Sequence, residues 1–480
     1  ASMSVGPEAA GVAHINEHGK SFFGGILECC WTEHKGRIVH ATRPFKQGEL
    51  ILQEPPLHIV QEDLSSQAFI KLKTLCKKHT FDYEPLWYWC ALKSLTKEQL
   101  HGVKAGGWAP TPMETQRNLL LLHHEVTEPG REVELMAKEL VPHCDPLILE
   151  RLVQIWVLNC FEYSDTPQGY STYFFSSFMS HSCFPNAVWH YTGTDHVLRA
   201  RRDIKVGDEV CIAYLPEDGL LQPAPFRRWE LHQTKHFWCA CERCDSIQDL
   251  TRGMFCPKCK DGIVFSSAID KTSHKAAYLA SAWVGCACTK CGHKVTARQA
   301  EELAKVENEL KQHVENYKDE DSRTAQTLTL KEAQNIEQII EASFPQHAIA
   351  DTAWERLAEW YECSNYPAEQ RRILAHRCDF HAAAYPGLSG TRAWSLETRG
   401  DAIRCDSGRA SQNGSAARRT KGRVSASLVK AEPAEAARCY QESLRILRLM
   451  FGEEHEYVTS VDHKLKGLLS ALEAEDEKGH

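Results

Sequence analysis

Apolar positions in residues 21–57 fall in short runs separated by turn residues. Gly36-Arg37-Ile38-Val39-His40-Ala41 and Leu50-Ile51-Leu52 read as strands, with Lys46-Gln47-Gly48-Glu49 as the turn between them. From about residue 65 to 156 the spacing lengthens to three and four. Leu119-Leu120-Leu121-Leu122 and Leu147-Ile148-Leu149, followed by Leu152, Val153, Ile155 and Trp156, suit buried helix faces. Residues 157–238 return to short strands, including Val197-Leu198-Arg199-Ala200 and Val210-Cys211-Ile212-Ala213-Tyr214. From residue 296 onward the pattern is helical, with one apolar face over each of 301–317, 352–361 and 434–451. Antiparallel helix pairs of this length predict a tetratricopeptide-like array, without a strict period of about 34 residues. The expectation is an α+β protein: residues 1–20 disordered, 21–238 β-rich with a helical insert at 65–156, 239–295 cysteine-rich, and 296–480 all-α. Residues 405–430 interrupt the last part with six basic residues against one acidic, and read as a disordered insertion.

Composition narrows the class. With 42% apolar and 25% charged residues, the chain is neither disordered throughout nor fibrous. No window of about 18 apolar residues offers a membrane span. Ala1-Ser2-Met3-Ser4 lacks a basic-then-apolar signal pattern and reads as an expression remnant on a shortened chain. The net charge of −8 gives no bulk support for nucleic-acid binding and suits a basic protein as partner.

The 20 cysteines matter by position. Eight lie between Cys239 and Cys291 in short-spaced groups, which in a chain without a signal read as zinc ligands rather than disulfides. That pattern suits an intracellular protein, cytoplasmic or nuclear. Cys239-Ala240-Cys241-Glu242-Arg243-Cys244 supplies three thiolates, and tetrahedral zinc takes four. The candidate for the fourth is Cys183, in Ser180-His181-Ser182-Cys183-Phe184-Pro185-Asn186. A second set, Cys256-Pro257-Lys258-Cys259 and then, after 28 residues, Cys288-Thr289-Lys290-Cys291, reads as a structural zinc ribbon, with Cys286 and His293 as competing ligands. Two zinc ions per chain are expected.

His-Ser-Cys-x-Pro-Asn at 181–186, Gly-Asp-Glu-Val-Cys-Ile-Ala-Tyr at 207–214 and the Cys-x-Cys-x2-Cys run resemble the SET domain with its post-SET zinc site. With Leu158-Asn159-Cys160-Phe161 and the helical C-terminal part, the chain resembles the SMYD (SET-and-MYND) branch. The resemblance implies a protein lysine methyltransferase that uses S-adenosylmethionine. Tyr214 resembles the catalytic tyrosine. Cofactor contacts are implied for Lys35, Gly36 and Arg37 by backbone, for Asn159, Ser180 and His181 by polar groups, and for Phe237 by stacking on the adenine. Tyr170, Tyr173, Phe174 and Tyr191 are channel-wall candidates, each more simply read as core.

Three departures stand out. The MYND zinc module is missing, since Cys76, His79 and Cys90 are too few and too widely spaced to build it, as in the apical complex lysine methyltransferases. The opening segment Gly36-Arg37-Ile38 lacks a second glycine. Ser180 replaces the usual Asn, and Lys235 stands where SMYD enzymes place a second active-site tyrosine. Loss of the MYND module leaves the chemistry alone. The Ser180 and Lys235 changes are the best argument for the rival reading of an inactive SET scaffold whose helical array binds partners or self-associates, whereas Tyr214 with the His181 segment favours an enzyme. The basic Arg418-Arg419-Thr420-Lys421-Gly422-Arg423 cluster is a targeting or nucleic-acid candidate, against a solvated loop. The implied partner is a protein, histone or non-histone, with an exposed lysine.

Overall fold

The computed structural model describes residues 11–103, 108–125, 128–268, 278–316, 328–413 and 426–478. By internal contacts the chain forms two compact units, Ala1–Ser180 with Trp189–Ile212, and His181–Val188 with Ala213–His480.

In the first unit a helix α1 (Val12–Phe23) precedes β1 (Leu27–Thr32) and β2 (Gly36–Ala41), an antiparallel hairpin. Gly36 closes the hairpin turn at φ 70°, a left-handed conformation that glycine adopts without strain. Thr32 Oγ1 locks the turn by accepting from Lys35 N at 3.2 Å and donating to Gly36 O at 3.1 Å. Next come β3 (Leu50–Glu54) and β4 (His58–Gln61). The helical insert is α2 (Gln67–His79), α3 (Pro85–Lys93), α4 (Met113–Leu119), α5 (Arg131–Leu140) and α6 (Pro146–Asn159). Pro85 and Pro146 open their helices at positions where a missing N–H costs nothing, and Asp145 caps α6 through Leu147 N at 2.9 Å. Phe69, Trp89, Leu149 and Trp156 are fully buried in the insert, and Trp156 donates to Ser94 Oγ at 2.8 Å. Cys76 and Cys90 are buried in this insert, as core residues should be.

The strands β5 (Phe161–Asp165), β6 (Gln168–Thr172), β7 (Ser180–His181), β8 (Ala187–Thr192), β9 (Asp195–Ala200) and β10 (Cys211–Ile212) follow. They build small antiparallel sheets of order β3–β9–β8 and β4–β6–β5. Tyr173 and Phe174 are buried, and Tyr170 stacks on Trp87 at 4.3 Å between centroids, so these rings are core. The Tyr191 hydroxyl donates to Glu162 O. The Glu54 carboxylate is buried and accepts from Phe175 N (2.6 Å), Ser176 N (2.9 Å) and Ser176 Oγ (2.7 Å), clamping the segment that runs into Ser180.

The second unit holds α7 (Ala224–Lys235), β11 (Arg252–Phe255), β12 (Ile263–Phe265), α8 (Ala297–Asn316), α9 (Leu330–Ser343) and β13 (Gln346–His347). It ends with α10 (Ala348–Cys363), α11 (Pro367–Ala384), α12 (Gly390–Asn413), α13 (Ala426–Phe451) and α14 (Glu456–Lys478). From α10 to α14 each helix packs on the next in sequence, the arrangement expected of a helix-pair array. The sheet β12–β11–β13 joins the ribbon to the start of α10.

Several expectations change. The N-terminal stretch is not disordered over residues 12–20: α1 is ordered because Ile15 is buried and Asn16 bonds both Cys29 O and Cys29 N. These tertiary contacts outweigh a polar, His-rich local sequence; residues 1–10 lie outside the described part. The β-like reading of 21–23 falls inside the same helix. The helix read over 119–122 ends at Leu119, and the strand read over 210–214 shortens to Cys211–Ile212. The insertion 405–430 is helical at both ends, since α12 runs to Asn413 and α13 begins at Ala426. Residues 414–425, with the basic cluster, and Tyr317 lie outside the described residues.

Candidate functional site

The first cysteine group converges as the spacing suggested. The Sγ atoms of Cys183, Cys239, Cys241 and Cys244 all lie within 4.8 Å of one another, with Cys183 to Cys239 at 4.0 Å and to Cys244 at 3.6 Å. Zinc–sulfur bonds of about 2.3 Å in a tetrahedron place sulfurs about 3.8 Å apart, whereas a disulfide needs about 2.0 Å. The geometry fits a metal. Cys183 N donates to Cys241 Sγ at 3.4 Å, as a backbone amide does to a bound thiolate. Two buried guanidinium groups add positive charge. Arg227 donates to Cys244 Sγ at 3.6 Å, and Arg243 donates to the carbonyls of Cys183 (3.1 Å) and Leu220 (2.6 Å). Arg228 holds the loop by donating to Cys239 O and Cys244 O, each at 2.9 Å. A zinc tetrathiolate carries a net charge of −2, so buried cations here offset a buried anion.

The ribbon cysteines form the second tetrad, with Cys256–Cys291 and Cys259–Cys288 sulfur separations of 3.8 Å. Backbone amides of Lys258, Gly262 and Lys290 point at Cys256, Cys259 and Cys288 at 3.4 Å each. The amide of Gly262 heads the causes that bring the Cys259 thiol down to about 7. A side chain on Gly262 would collide with Cys288 Sγ, so glycine is required there. The two competing ligands are engaged elsewhere: Cys286 donates to Ala282 O, and His293 meets Gln299 Oε1 at 2.9 Å. Among the described residues these two tetrads are the clusters able to hold a metal, and Cys76, His79 and Cys90 form none.

His181 connects the first tetrad to Tyr214. Tyr214 N donates to His181 Nδ1 at 2.9 Å, which leaves the ring proton on Nε2, 3.2 Å from Cys183 Sγ. Burial pushes the His181 pKa down to about 4, so the ring is neutral at pH 7. Tyr214 is 38% exposed. Phe237 completes the cluster, its ring edge-on to Tyr214 at 6.3 Å and 6.1 Å from the His181 ring. It follows His236, whose left-handed backbone at φ 59° ends α7 and redirects the chain. Lys235 Nζ lies 5.9 Å from the Tyr214 ring centroid, a cation in the place expected of a second tyrosine.

The remaining candidates belong to the first unit. Lys35 ends the hairpin turn with its amine 2.6 Å from Glu209 Oε2, and the Arg37 guanidinium covers Phe178 at 5.0 Å. Asn159, at the end of α6, spends its amide on His123 O (2.9 Å) and Ile155 O (2.8 Å), leaving Oδ1 as its acceptor. Ser180 opens β7 immediately before His181. The sequence reading missed Arg227, Arg228, Arg243, Glu54 and Gly262. Buried charges carry no sequence signature, although Gly262, three residues after Cys259, is a turn signal within the metal knuckle.

Residues 36–215 match the SET domain family model, and the chain carries a SET domain over that span. Its relatives are of the SMYD type and their kin. It is 40% identical over 70 residues to human histone-lysine N-methyltransferase SMYD3, covering 15% of this chain and 16% of that protein. It is 39% identical over 66 residues to human N-lysine methyltransferase SMYD2, with 14% of each covered. The potential protein lysine methyltransferase SET6 of Saccharomyces cerevisiae is 38% identical over 79 residues, with 16% and 20% covered. The chain thus spans a fifth or less of the length of each of these three relatives. Among solved structures, the SET domain of LSMT bound to lysine and AdoHcy aligns over 97% of this chain and 92% of that one, at 10% identity and a TM-score of 0.30. No helix among the described residues is long and apolar enough to cross a membrane.

Proposed function

We propose that this protein transfers a methyl group from S-adenosylmethionine to the side-chain amine of a lysine in a protein substrate. The observation that carries the reading is Tyr214, half-exposed, its backbone fixed by His181 inside a matched SET segment. When bound, S-adenosylmethionine supplies an electrophilic methyl on a sulfonium. The acceptor of that methyl would be the lysine nitrogen, which must give up a proton to solvent.

The difficult part is the amine. A free lysine near pKa 10.4 gives up about 4.6 kcal/mol to lose its proton at pH 7. Removal from water beside positive charge disfavours the ammonium and reduces that cost. Tyr214 Oη, as an acceptor, orients the amine toward the methyl, a gain in proximity. Gly36 and its neighbours Lys35 and Arg37 offer backbone groups to the cofactor. Asn159 offers Oδ1 and Ser180 its hydroxyl, and Phe237 offers a ring face. His181 serves through its backbone, because both ring nitrogens are occupied. Zinc in the two tetrads would hold the post-SET loop and the ribbon in place, a structural part in this reading.

The test is transfer of a labelled methyl group from S-adenosylmethionine to core histones and to free basic peptides. Tyr214→Phe keeps the ring, so the melting midpoint should hold while turnover falls about 10²–10³-fold, roughly 2.7–4 kcal/mol. Wild-type protein that binds no cofactor and labels nothing would instead support the inactive scaffold.

A further inference from the structure

The helical insert carries a feature that methyl transfer does not use. A groove of about 660 Å³ opens along α2 and the loop after it, within the range of about 300–1,000 Å³ typical of ligand-holding clefts. Phe69 and Phe81 form its base, and Leu64, Ile70 and Tyr83 stand along its walls. These three wall residues are 64%, 43% and 37% exposed, so large apolar surface is left to water on α2 and on the segments just before and after it. Phe69, Leu72 and Cys76 are buried, so α2 already packs on the insert, and of these Phe69 and Cys76 also line the groove.

Charge says what the open face would accept. Of the groove's lining residues only Lys73 and Lys77 are charged. The whole of α2 carries Lys71, Lys73, Lys77 and Lys78 and no acidic residue, in a chain whose net charge is −8. Asp82 and Glu84 flank Tyr83 in sequence but do not line the groove. Lys73 Nζ rides over the Phe69 ring at 5.6 Å, which puts a cation directly at the edge of the apolar base. Apolar pockets rimmed by one sign of charge select ligands of matching shape and opposite sign.

We propose that this groove docks an amphipathic segment of a partner protein, its large apolar side chains filling the groove and its acidic residues meeting Lys73 and Lys77. The mode is helix-in-groove recognition, in which apolar anchors recur every three to four residues. It is independent of the methyl-transfer reading.

The experiment uses the full chain and a fluorescein-labelled 20-residue peptide with Leu at helical spacing and Glu at the remaining positions. Controls are a scrambled peptide of identical composition and a version with Lys in place of Glu. The acidic amphipathic peptide should bind, weakening several-fold between 50 and 500 mM salt, as the screening length falls from about 14 Å to about 4 Å. Ile70→Asp should weaken it about tenfold or more. The double variant Lys73→Glu/Lys77→Glu should lose the acidic peptide and gain the lysine version. All substituted positions are exposed, and unchanged melting midpoints verify the fold. Equal affinity for the scrambled peptide, or affinity indifferent to Ile70→Asp, overturns the proposal. So does tight binding of single-stranded RNA that Lys73→Glu/Lys77→Glu abolishes while the acidic peptide shows no binding.

Discussion

His181 shows how little freedom the central side chains have. Its Nδ1 accepts from the backbone of Tyr214 and its Nε2 faces Cys183, so metal ligand, histidine and tyrosine form one hydrogen-bonded line. Phe237 sits beside that line with a half-buried ring. If that ring stacks on the adenine, Phe237→Ala should weaken S-adenosylmethionine binding by about 1–3 kcal/mol in a calorimetric titration, by analogy with base–aromatic stacking. Unchanged affinity would make Phe237 a core residue only. Arg227 makes a different prediction. It is buried with its guanidinium on Cys244 Sγ, also donates to Gln222 O, and is drawn by Cys183, Cys244 and Asp249 well above its ordinary range despite burial. Arg227→Met removes positive charge beside a tetrathiolate and should speed zinc loss to a chelator by about tenfold or more, followed with a chromogenic dye. Release at the wild-type rate would show that Arg227 serves packing alone. The cysteine tetrads were legible because metal binding demands fixed residue types at fixed spacing. Arg227 was not, because an arginine in Pro225-Phe226-Arg227-Arg228 looks like an exposed helix position until the fold buries it.

Among the elements, the metal knuckles are the most local and so the most predictable. A Cys-x2-Cys turn brings its sulfurs together by its own backbone, and Gly262 and the amides at 258 and 290 finish the ribbon without help from distant sequence. Elemental analysis should give two zinc ions per chain. Gly262→Ala, whose methyl would strike Cys288 Sγ, should leave one and lower the melting midpoint. A Gly262→Ala protein that keeps both ions would show that the ribbon can shift to make room. Helices whose order depends on distant partners were harder to read. The helix α1 owes its place to Ile15 and to Asn16 bonding Cys29, thirteen positions away, which no local pattern announces. The stretches at the end of α12 and the start of α13 carry the composition of disorder, yet both are helical. The hairpin β1–β2, by contrast, follows from alternation and from Gly36 in a turn that needs positive φ.

On the scale of the whole molecule, buried charge decides how each unit meets acid. In the first unit, His196 is packed among Phe161, Tyr173 and Trp189, and burial, with His190 nearby, takes its pKa down to about 3. A histidine held neutral in the fold but ordinary at 6.5 when unfolded contributes fully above pH 6.5, and that contribution is lost progressively toward pH 3. Its ring resonances should therefore stay at the neutral position to below pH 4 for as long as the fold persists. In the second unit the triad Arg252, Glu307 and His347 ties the ribbon strand β11 to α8 and β13. Glu307 accepts from Arg252 Nε at 2.6 Å, Arg252 Nη2 at 2.7 Å and His347 Nε2 at 2.8 Å, with all three side chains buried. Burial alone would raise the Glu307 pKa, but the Arg252 charge and these hydrogen bonds outweigh it and bring it to about 2. Since the folded value lies below the ordinary 4.5, the contribution of about 3 kcal/mol is complete above pH 4.5 and disappears as pH falls through 2. Glu307→Gln leaves Arg252 charged, buried and short of its counter-ion, so at pH 7 it should cost about 3–5 kcal/mol in urea unfolding. The gap to wild type should narrow below pH 4.5, because the unfolded wild-type chain then takes up a proton at Glu307 that the folded protein does not bind until about pH 2. Replacing both partners, Arg252→Met with Glu307→Leu, should cost much less than Glu307→Gln, because no unpaired charge remains. A gap that stays constant from pH 7 to pH 3.5 would show that Glu307 supports the fold by shape and hydrogen bonding, with its charge contributing nothing.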